Sequence, residues 1–183
     1  MNEEILTSCR VRLMRDGELI RDFSCNDLDL DDYILNEADL YQSEFLATNY
    51  LLEDSKANLM AFFTLLNDRV CVADFRSKTE FNRFRKRRFV QAKRFKGYPA
   101  VKIGRLAVST KWMRNGLGSI LLDFIKSYFT KNRRTGCRFL TVDAYHGAVD
   151  FYAKNGFVRL SEGSSDGNTC LMYYDLIDYK SKL

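Results

Sequence analysis

A short apolar strand, two closely spaced glycines and an amphipathic helix follow one another near the middle of this chain, and this order limits the folds it can adopt. Ile103 to Val108 is an apolar run suited to a buried strand, and Gly116 and Gly118 open a segment whose apolar residues recur every three and four positions. The apolar residues are Leu117, Ile120, Leu121, Phe124, Ile125 and Tyr128, and the polar face consists of Ser119, Asp123, Lys126 and Thr130. The sequence therefore predicts a strand, a loop and a helix in that order.

Such a loop is suited to binding an anion. Glycines at the start of a helix let the backbone approach a ligand closely, and the unpaired amide N–H groups and the positive end of the helix dipole attract a pyrophosphate. A Gly-x-Gly pair alone is equally compatible with a tight turn that binds nothing. The segment lacks the Lys-Ser/Thr of a Walker loop and the third glycine of a dinucleotide-binding loop, so neither of those folds is expected.

The segment after the helix strengthens the case for a ligand. Arg138 to Ala144 reads as a second buried strand, so strand, helix and strand form a right-handed crossover with the glycine loop at the carboxyl end of the first strand. A short helix carrying Tyr152 follows, and Gly156 ends it. We therefore expect Tyr152 to lie near the same end of the sheet as the loop.

These motifs resemble those of the GNAT superfamily of N-acetyltransferases. The acetyl-CoA loop of that superfamily has the pattern Gln/Arg-x-x-Gly-x-Gly/Ala, matched here by Gly116 and Gly118, and its Phe-Tyr-x-x-x-Gly-Phe segment is matched by Phe151 to Phe157. The resemblance extends from Phe23 to the C-terminus. It implies an α/β fold with a single N-acetyltransferase domain over residues 1–183, built on a mixed sheet of six to seven strands flanked by about four helices.

Within the superfamily, the chain is most similar to the TacT-type branch, whose characterised members acetylate aminoacyl-tRNA as toxins. The similar segments are Phe23-Ser24-Cys25, Tyr98-Pro99 and Ile103 to Val108. The branch implies acetyl-CoA as the cofactor and a primary amine as the acceptor, with the aminoacyl end of charged tRNA as one candidate. A homodimer and an antitoxin partner are further expectations from this resemblance.

Two positions depart from the superfamily pattern. The first position of the loop motif, usually Gln or Arg, is Met113, and Arg114 follows it, so one side-chain contact to phosphate is lost or moved while backbone contacts survive. Many members carry an Asn seven residues before the tyrosine, where this chain has Tyr145. This chain therefore lacks the asparagine side chain at that position.

The resemblance also implies the roles of individual residues. The cofactor-binding residues are Leu106, Ala107, Val108, Met113, Arg114, Asn115, Gly116, Leu117, Gly118 and Ser119. Tyr152 is the expected general acid, because a tyrosine with a pKa near ~10 can donate a proton to a thiolate whose conjugate acid has a pKa near ~8.5. No motif places a general base, although an α-amino group with a pKa of about 7.7–8.0 is partly neutral already and would need little help.

The segment from Phe75 to Lys96 has the strongest charge imbalance of the chain. Ten basic residues stand against one acid, Glu80, and five phenylalanines are interleaved with them. This pattern predicts a helix with aromatic residues inward and basic residues outward, which would attract a polyanion. The candidate nucleic-acid patch is Arg83, Arg85, Lys86, Arg87, Arg88, Lys93 and Arg94. A solvated face, or an arm covering the CoA phosphates, is the alternative.

Composition limits the remaining classes. With 183 residues, 46% of them hydrophobic, and one proline, the chain can bury one sizeable core and shows no linker, which predicts one domain. No basic region leads into an apolar stretch after Met1, and no run approaches the length of a membrane span, so a soluble, cytoplasmic protein is expected. Five scattered cysteines predict reduced thiols, and the single histidine, His146, argues against a metal site or a histidine-based triad.

Further elements can be read from the patterning. Arg10 to Met14 and Leu19 to Phe23 flank an Asp16-Gly17 turn and predict a hairpin. A helix is expected over Asp29 to Leu40, and strands over Glu44 to Leu52, Asn58 to Leu66 and Asn168 to Leu176.

Two classes of function follow from the sequence. The first is an acetyl-CoA-dependent N-acetyltransferase that moves an acetyl group directly to a primary amine of charged tRNA, of a protein or of a small molecule. The second is a non-enzymatic nucleic-acid-binding module on a decayed GNAT fold. The intact Gly116, Gly118 and Tyr152 favour the enzyme, and Met113 is the one feature that favours decay.

Overall fold

The computed structural model describes residues 9–89, 95–131, 135–161 and 167–180. The strands are β1 (Arg10–Leu13), β2 (Thr48–Glu53), β3 (Leu59–Cys71), β4 (Gly97–Val108), β5 (Phe139–Tyr145), β6 (Val158–Arg159) and β7 (Thr169–Asp175). The α-helices are α1 (Leu28–Asp32), α2 (Ala38–Ser43), α3 (Lys78–Arg88), α4 (Leu117–Lys131), α5 (Val149–Lys154) and α6 (Leu176–Lys180), and a π-helical turn (Tyr33–Glu37) joins α1 to α2.

The strands form one mixed sheet in the order β1-β2-β3-β4-β5-β7-β6. The β4–β5 pair is parallel, and the β1–β2, β2–β3, β5–β7 and β6–β7 pairs are antiparallel. Because parallel neighbours need a crossover connection, helix α4 lies between β4 and β5 in the chain. The predicted mixed sheet and the predicted strand–helix–strand unit are confirmed.

The chain divides into two compact units, each made of two segments. The first contains Met1–Leu66 and Ile103–Asp123, and the second contains Asn67–Lys102 and Phe124–Leu183. Each unit has its own apolar cluster. The assignment of a single domain to residues 1–183 stays a prediction.

The core of the first unit lies between its strands and the helical segment of α1, the π-helical turn and α2. Asp27 begins α1 by accepting hydrogen bonds from the N–H groups of Asp29 and Leu30. The cluster contains Met14, Phe23, Cys25, Tyr33, Ile34, Ala38, Leu51, Phe62 and Ala107. The predicted helix over Asp29 to Leu40 is therefore confirmed.

Aromatic side chains dominate the core of the second unit. Helix α3 begins at the cap Ser77, which accepts a hydrogen bond from the N–H of Glu80, and it buries Phe81 and Phe84. The cluster contains Val70, Phe75, Phe81, Phe84, Tyr98, Ala100, Phe139, Leu160 and Tyr173. Phe75, Phe81 and Phe84 of the basic segment thus pack inward as predicted, whereas Phe95 is 56% exposed.

The predicted N-terminal hairpin is wrong. A turn does form at Gly17, which has a φ of 76°, but β1 pairs with β2 instead, from Arg10↔Glu53 to Leu13↔Tyr50. The segment from Leu19 to Phe23 forms no strand. Its end is buried, with the Phe23 ring 5.3 Å from the Phe62 ring, so core packing takes the place of strand pairing.

Strand β2 begins four residues later than the predicted start at Glu44. The helical segment continues to Ser43, and Phe45 then adopts a φ of 56°. The N–H groups of Leu46 and Ala47 both donate to the carbonyl of Tyr41. These bonds turn the chain before it can enter the sheet.

Candidate active site

Strand β4 pairs with β5 over only part of its length. The parallel register joins Ala100 to Phe139 and ends with Lys102 opposite Thr141. Within the described ranges the β4–β5 ladder goes no further, although β4 continues to Val108. The backbone groups of Leu106, Ala107 and Val108 that would face such a ladder therefore have no partner in it.

Backbone hydrogen bonds fix the chain where β4 ends and the glycine loop begins. The N–H of Ser109 donates to the carbonyl of Met60 at 2.8 Å, and the N–H of Thr110 donates to the carbonyl of Ser24 at 2.8 Å. The start of the loop is thus tied to two other segments of the first unit. A loop held in this way presents its later backbone groups in a defined direction.

The glycine loop adopts an unusual backbone conformation. Arg114 has a φ of 62° and Gly116 a φ of 76°, and a left-handed conformation is uncommon for a residue other than glycine. A Cβ added to Gly116 would meet no atom within 4 Å. Glycine is therefore favoured there for its backbone freedom and not for lack of space.

The start of helix α4 offers amide groups to a ligand. The first helical hydrogen bond runs from the N–H of Ile120 to the carbonyl of Gly116 at 3.1 Å. The N–H groups of Leu117, Gly118 and Ser119 precede it and point out of the helix end, as helix geometry requires. Leu117 is buried, which anchors this end, while Gly116 and Ser119 are exposed. The arrangement suits an anion at the helix N-terminus.

The departure at Met113 has a structural explanation. The side chain of Met113 packs against the apolar cluster of the first unit, so it serves the core. Arg114 and Asn115 are exposed beside it. A side-chain contact to phosphate can therefore come from Arg114, one position after the superfamily residue.

Tyr152 lies on helix α5, which follows the carboxyl end of β5. Its side chain is 7% exposed, and its ring packs edge-on against Phe151 and Phe157, at centroid distances of 5.1 and 5.5 Å. Burial raises the pKa of Tyr152 to about 12. The hydroxyl makes no hydrogen bond to another described residue, and it is not fully enclosed by protein atoms. It is a protonated donor that keeps some access to solvent.

Lys126 holds the end of the tyrosine helix. The sequence places Lys126 on the polar face of α4, but it is only 6% exposed. Its Nζ donates to the carbonyl of Asn155 at 2.7 Å and lies 4.4 Å from the centre of the Tyr174 ring. A cation at the C-terminal end of α5 complements the helix dipole.

The sequence places Phe124 on the apolar face of α4, but its side chain is 36% exposed.

Helix α3 divides its basic residues between two faces. Arg83, Lys86 and Arg87 are exposed, whereas Arg85 and Arg88 are half-buried. Lys93 and Arg94 lie outside the described residues. The predicted outward row is therefore narrower than the charge count indicates.

Arg88 belongs to an inward network. Its guanidinium lies 4.0 Å from the centre of the Phe84 ring, its Nε is 3.7 Å from Asp175, and it donates a hydrogen bond to the Tyr173 hydroxyl. Arg138 pairs with the same carboxylate. Asp175 is only 8% exposed, so these two arginines compensate a nearly buried charge.

Sequence reasoning missed two features of the first unit. One is a cleft of about 620 Å³ beside the end of β4, lined in part by Ser109 to Trp112 and by Arg12. The other is Arg105 on β4, whose guanidinium stacks on the ring of Tyr33. No motif signals either feature, because each depends on residues that are distant in the sequence.

Comparison with known proteins assigns the family. A family model described as an acetyltransferase (GNAT) domain matches residues 79–175, more than half of the chain. The chain belongs to the GNAT acetyltransferase family. It is therefore an acyltransferase, and the match includes the whole glycine loop and Tyr152. Curated protein sequences gave no match.

Solved structures of KacT and AtaT share the fold. A tyrosine-to-phenylalanine variant of KacT is 20% identical, with a TM-score of 0.75 over 96% of this chain and 99% of that chain. AtaTR bound with acetyl-CoA is 18% identical, with a TM-score of 0.76 over 96% and 98% of the two chains. AtaT complexed with acetyl-methionyl-tRNAfMet is 18% identical, with a TM-score of 0.74 over 95% and 98%. At these identities the likeness shows the fold.

Within the described part of the chain, no helix combines the length and the apolar character that a membrane span requires.

Proposed function

We propose that this enzyme transfers the acetyl group of acetyl-CoA directly to a primary amine, and that the amine is the aminoacyl end of charged tRNA. The observation that carries the cofactor assignment is the glycine loop at the start of α4, with its left-handed Gly116 and three amides that precede the first helical bond. Support for the acceptor comes from the fold shared with AtaT, which was solved with acetyl-methionyl-tRNAfMet.

The cofactor would be held mainly by backbone groups. The amides of Leu117, Gly118 and Ser119 would receive the pyrophosphate, since a helix N-terminus combines free N–H donors with a positive dipole. The part of β4 that is not paired with β5, Leu106 to Val108, would form backbone hydrogen bonds with the pantetheine arm. An N–H from this strand would also stabilise the oxyanion of the tetrahedral intermediate.

Tyr152 would act as the general acid. The amine attacks the thioester carbonyl, the tetrahedral intermediate collapses, and the C–S bond breaks as the thiolate leaves. Tyr152 can donate its proton to that thiolate, because burial keeps the hydroxyl protonated and it has no other described hydrogen-bond partner. The α-amino group of an aminoacyl ester needs little base, which fits the absence of a motif that places one.

The exposed face of α3 would bind the polyanionic part of the acceptor. Arg83, Lys86 and Arg87 are exposed at helical spacing, and the packed phenylalanines behind them fix the helix. Such a row contacts phosphates without reading sequence. We place the reaction in the cytoplasm, where both proposed substrates occur, and we keep a homodimer and an antitoxin partner as proposals.

One incubation tests the acceptor class. The protein is mixed with labelled acetyl-CoA and a cell extract, which is then separated into RNA, protein and small-molecule fractions. Label should enter the RNA fraction and be released by mild alkali, which cleaves the aminoacyl ester. Label in the protein or the small-molecule fraction instead would assign one of the other amines.

A glycine variant tests the cofactor site separately. Gly118→Glu places a side chain and a negative charge at the proposed pyrophosphate site. Acetyl-CoA at about 100 times its dissociation constant should stabilise the wild type by about 2.7 kcal/mol and leave the variant unchanged. Gly136→Glu is the matched control, because Gly136 is exposed and a Cβ there would meet nothing within 4 Å. Equal stabilisation of wild type and Gly118→Glu would overturn the loop assignment.

A further inference from the structure

Arg105 is a half-buried cation without an acidic partner among the residues that the structure describes. It lies on β4 directly before Leu106, and strand alternation places it on the same side as the buried Ile103 and Ala107. Its Nε is fully enclosed and has no hydrogen-bond acceptor. In the described part of the chain, no carboxylate lies within ion-pair distance of its guanidinium.

Three other half-buried arginines have acidic partners, whereas Arg85, 5.7 Å from the centre of the Phe81 ring, has none among the described residues. Arg12 is paired with both Glu18 and Glu53 at 2.5 Å, and Arg88 and Arg138 share Asp175. Arg105 and Arg85 depart from this pattern in the described part of the chain. Of the two, only Arg105 lies next to the strand segment Leu106 to Val108 that is assigned to the thioester.

Aromatic rings hold the Arg105 guanidinium in place. Its central carbon lies 3.6 Å from the centre of the Tyr33 ring and 5.7 Å from that of Tyr41. The two rings pack edge-to-face, with centroids 5.5 Å apart. This stacking fixes the plane of the guanidinium but accepts none of its hydrogen bonds, since a ring face attracts a cation only through its quadrupole.

A buried hydrogen-bond network holds Tyr33 itself. Its hydroxyl donates to Oδ1 of Asn49 at 2.9 Å, and Thr64 donates to the same oxygen at 2.8 Å. The Asn49 amide donates to the carbonyl of Ala38 at 2.8 Å. Tyr33 also begins the π-helical turn, an element often found at functional sites. The platform beneath Arg105 is therefore rigid.

The donor inventory of Arg105 points to a ligand. A cation–π contact attracts the charge but accepts no N–H hydrogen bond, so the partly buried guanidinium still lacks an anionic partner among the described residues. A planar guanidinium with open N–H donors is the group that best matches a phosphate or a carboxylate. The position, one residue before the strand segment assigned to the thioester, places this anion on the acceptor near its reacting amine.

We propose that Arg105 is a substrate-binding residue whose guanidinium, held on Tyr33, hydrogen-bonds a phosphate of the 3′-terminal nucleotide of the aminoacyl acceptor. This inference rests on the acceptor class given under the proposed function. It assigns to Arg105 the specificity for an aminoacyl nucleotide over a simple amine, because a simple amine carries no phosphate.

Two small acceptors separate this role from a structural one. The first is an aminoacyl-adenosine 5′-phosphate and the second is the same aminoacyl-adenosine without the phosphate. Arg105→Gln should lower kcat/KM about 10- to 100-fold with the first compound, as expected for a lost charged hydrogen bond, and by less than about twofold with the second. Arg105→Lys should fall between wild type and Arg105→Gln, because lysine keeps the charge but loses the planar fork.

Stability and cofactor binding complete the test. The melting temperature of Arg105→Gln should equal or exceed that of the wild type, because an unpaired charge has been removed, and its affinity for acetyl-CoA should be unchanged. Equal losses on the two compounds, a lower melting temperature or a weaker affinity for acetyl-CoA would each overturn the role of Arg105. If the wild type acetylates neither compound, the acceptor class itself is wrong, which is a different result from equal losses.

Discussion

Replacement of Tyr152 by phenylalanine should separate activity from packing. The variant keeps the ring and its contacts with Phe151 and Phe157 and removes only a hydroxyl that has no described partner. At pH 7 the free energy of unfolding should change by less than about 1 kcal/mol, since no protein hydrogen bond is lost. Turnover should fall about 10²-fold or more, the usual contribution of a positioned acid.

The same substitution should also change how the stability of the protein depends on alkaline pH. Burial raises the pKa of Tyr152 from 10.0 to about 12, so the folded protein holds this proton more tightly than the unfolded chain does. The associated stability is fully present below pH 10 and is lost as the pH rises through about 12. Two pKa units correspond to about 3 kcal/mol. The wild type should therefore lose up to about 3 kcal/mol more than Tyr152→Phe across this range.

Unfolding of both proteins in guanidinium chloride at pH 7, 10 and 11.5 measures the difference in their free energies of unfolding. Release of free CoA measures turnover. The two proteins differ only in this hydroxyl, so the contributions of all other groups cancel in the comparison. Tyr98→Phe is the matched control, because Tyr98 is 3% exposed and its hydroxyl is enclosed and unpaired; its turnover should equal that of the wild type. Unchanged turnover in Tyr152→Phe would refute the assignment of Tyr152 as the general acid.

Two further predictions concern the helices. Replacing Arg83, Lys86 and Arg87 with Gln should reduce the slope of log K for RNA binding against log salt concentration by up to about three units. The same replacement at the exposed Lys56, Lys154 and Arg159 should reduce that slope less. Equal slopes for the two triple variants would show that this face of α3 is only solvated. Gly156→Ala should lower the melting temperature more than Gly17→Ala: both glycines have left-handed φ values, 82° and 76°, but only at Gly156 would a Cβ approach another atom, Tyr174 Cε2 at 3.0 Å. Alanine at a left-handed φ costs about 1–2 kcal/mol of stability at both positions. Equal melting temperatures of the two variants in differential scanning calorimetry would show that the Tyr174 ring moves aside without a further loss of stability.

The local pattern of the sequence was sufficient to predict the strand–helix–strand segment made of β4, α4 and β5. The apolar run of β4, the glycines before α4 and the apolar run of β5 are each short-range signals, because strand and helix periodicities are set by the backbone. The glycine loop and Tyr152 are likewise contiguous motifs. Their positions could therefore be read before the sheet was known.

Charge alone could not divide the basic helix. Arg87 and Arg88 are neighbours of the same chemical type, yet Arg87 is exposed and Arg88 stacks on Phe84 beside Asp175. Asp175 lies far along the chain, so no window of sequence around α3 contains it. Which arginines remain free for a polyanion depends on this long-range contact.

The order of β4, the glycine loop, α4 and β5 follows from the sequence alone, because those signals depend on neighbours only a few residues away. The tertiary structure decided that β1 pairs with β2, that Lys126 is buried at the end of the tyrosine helix, and that Arg105 has no acidic partner among the described residues. Each of these outcomes depends on which distant residue comes into contact. Burial and pairing are properties of the assembled core, and a side chain's type fixes neither until its neighbours in space are known.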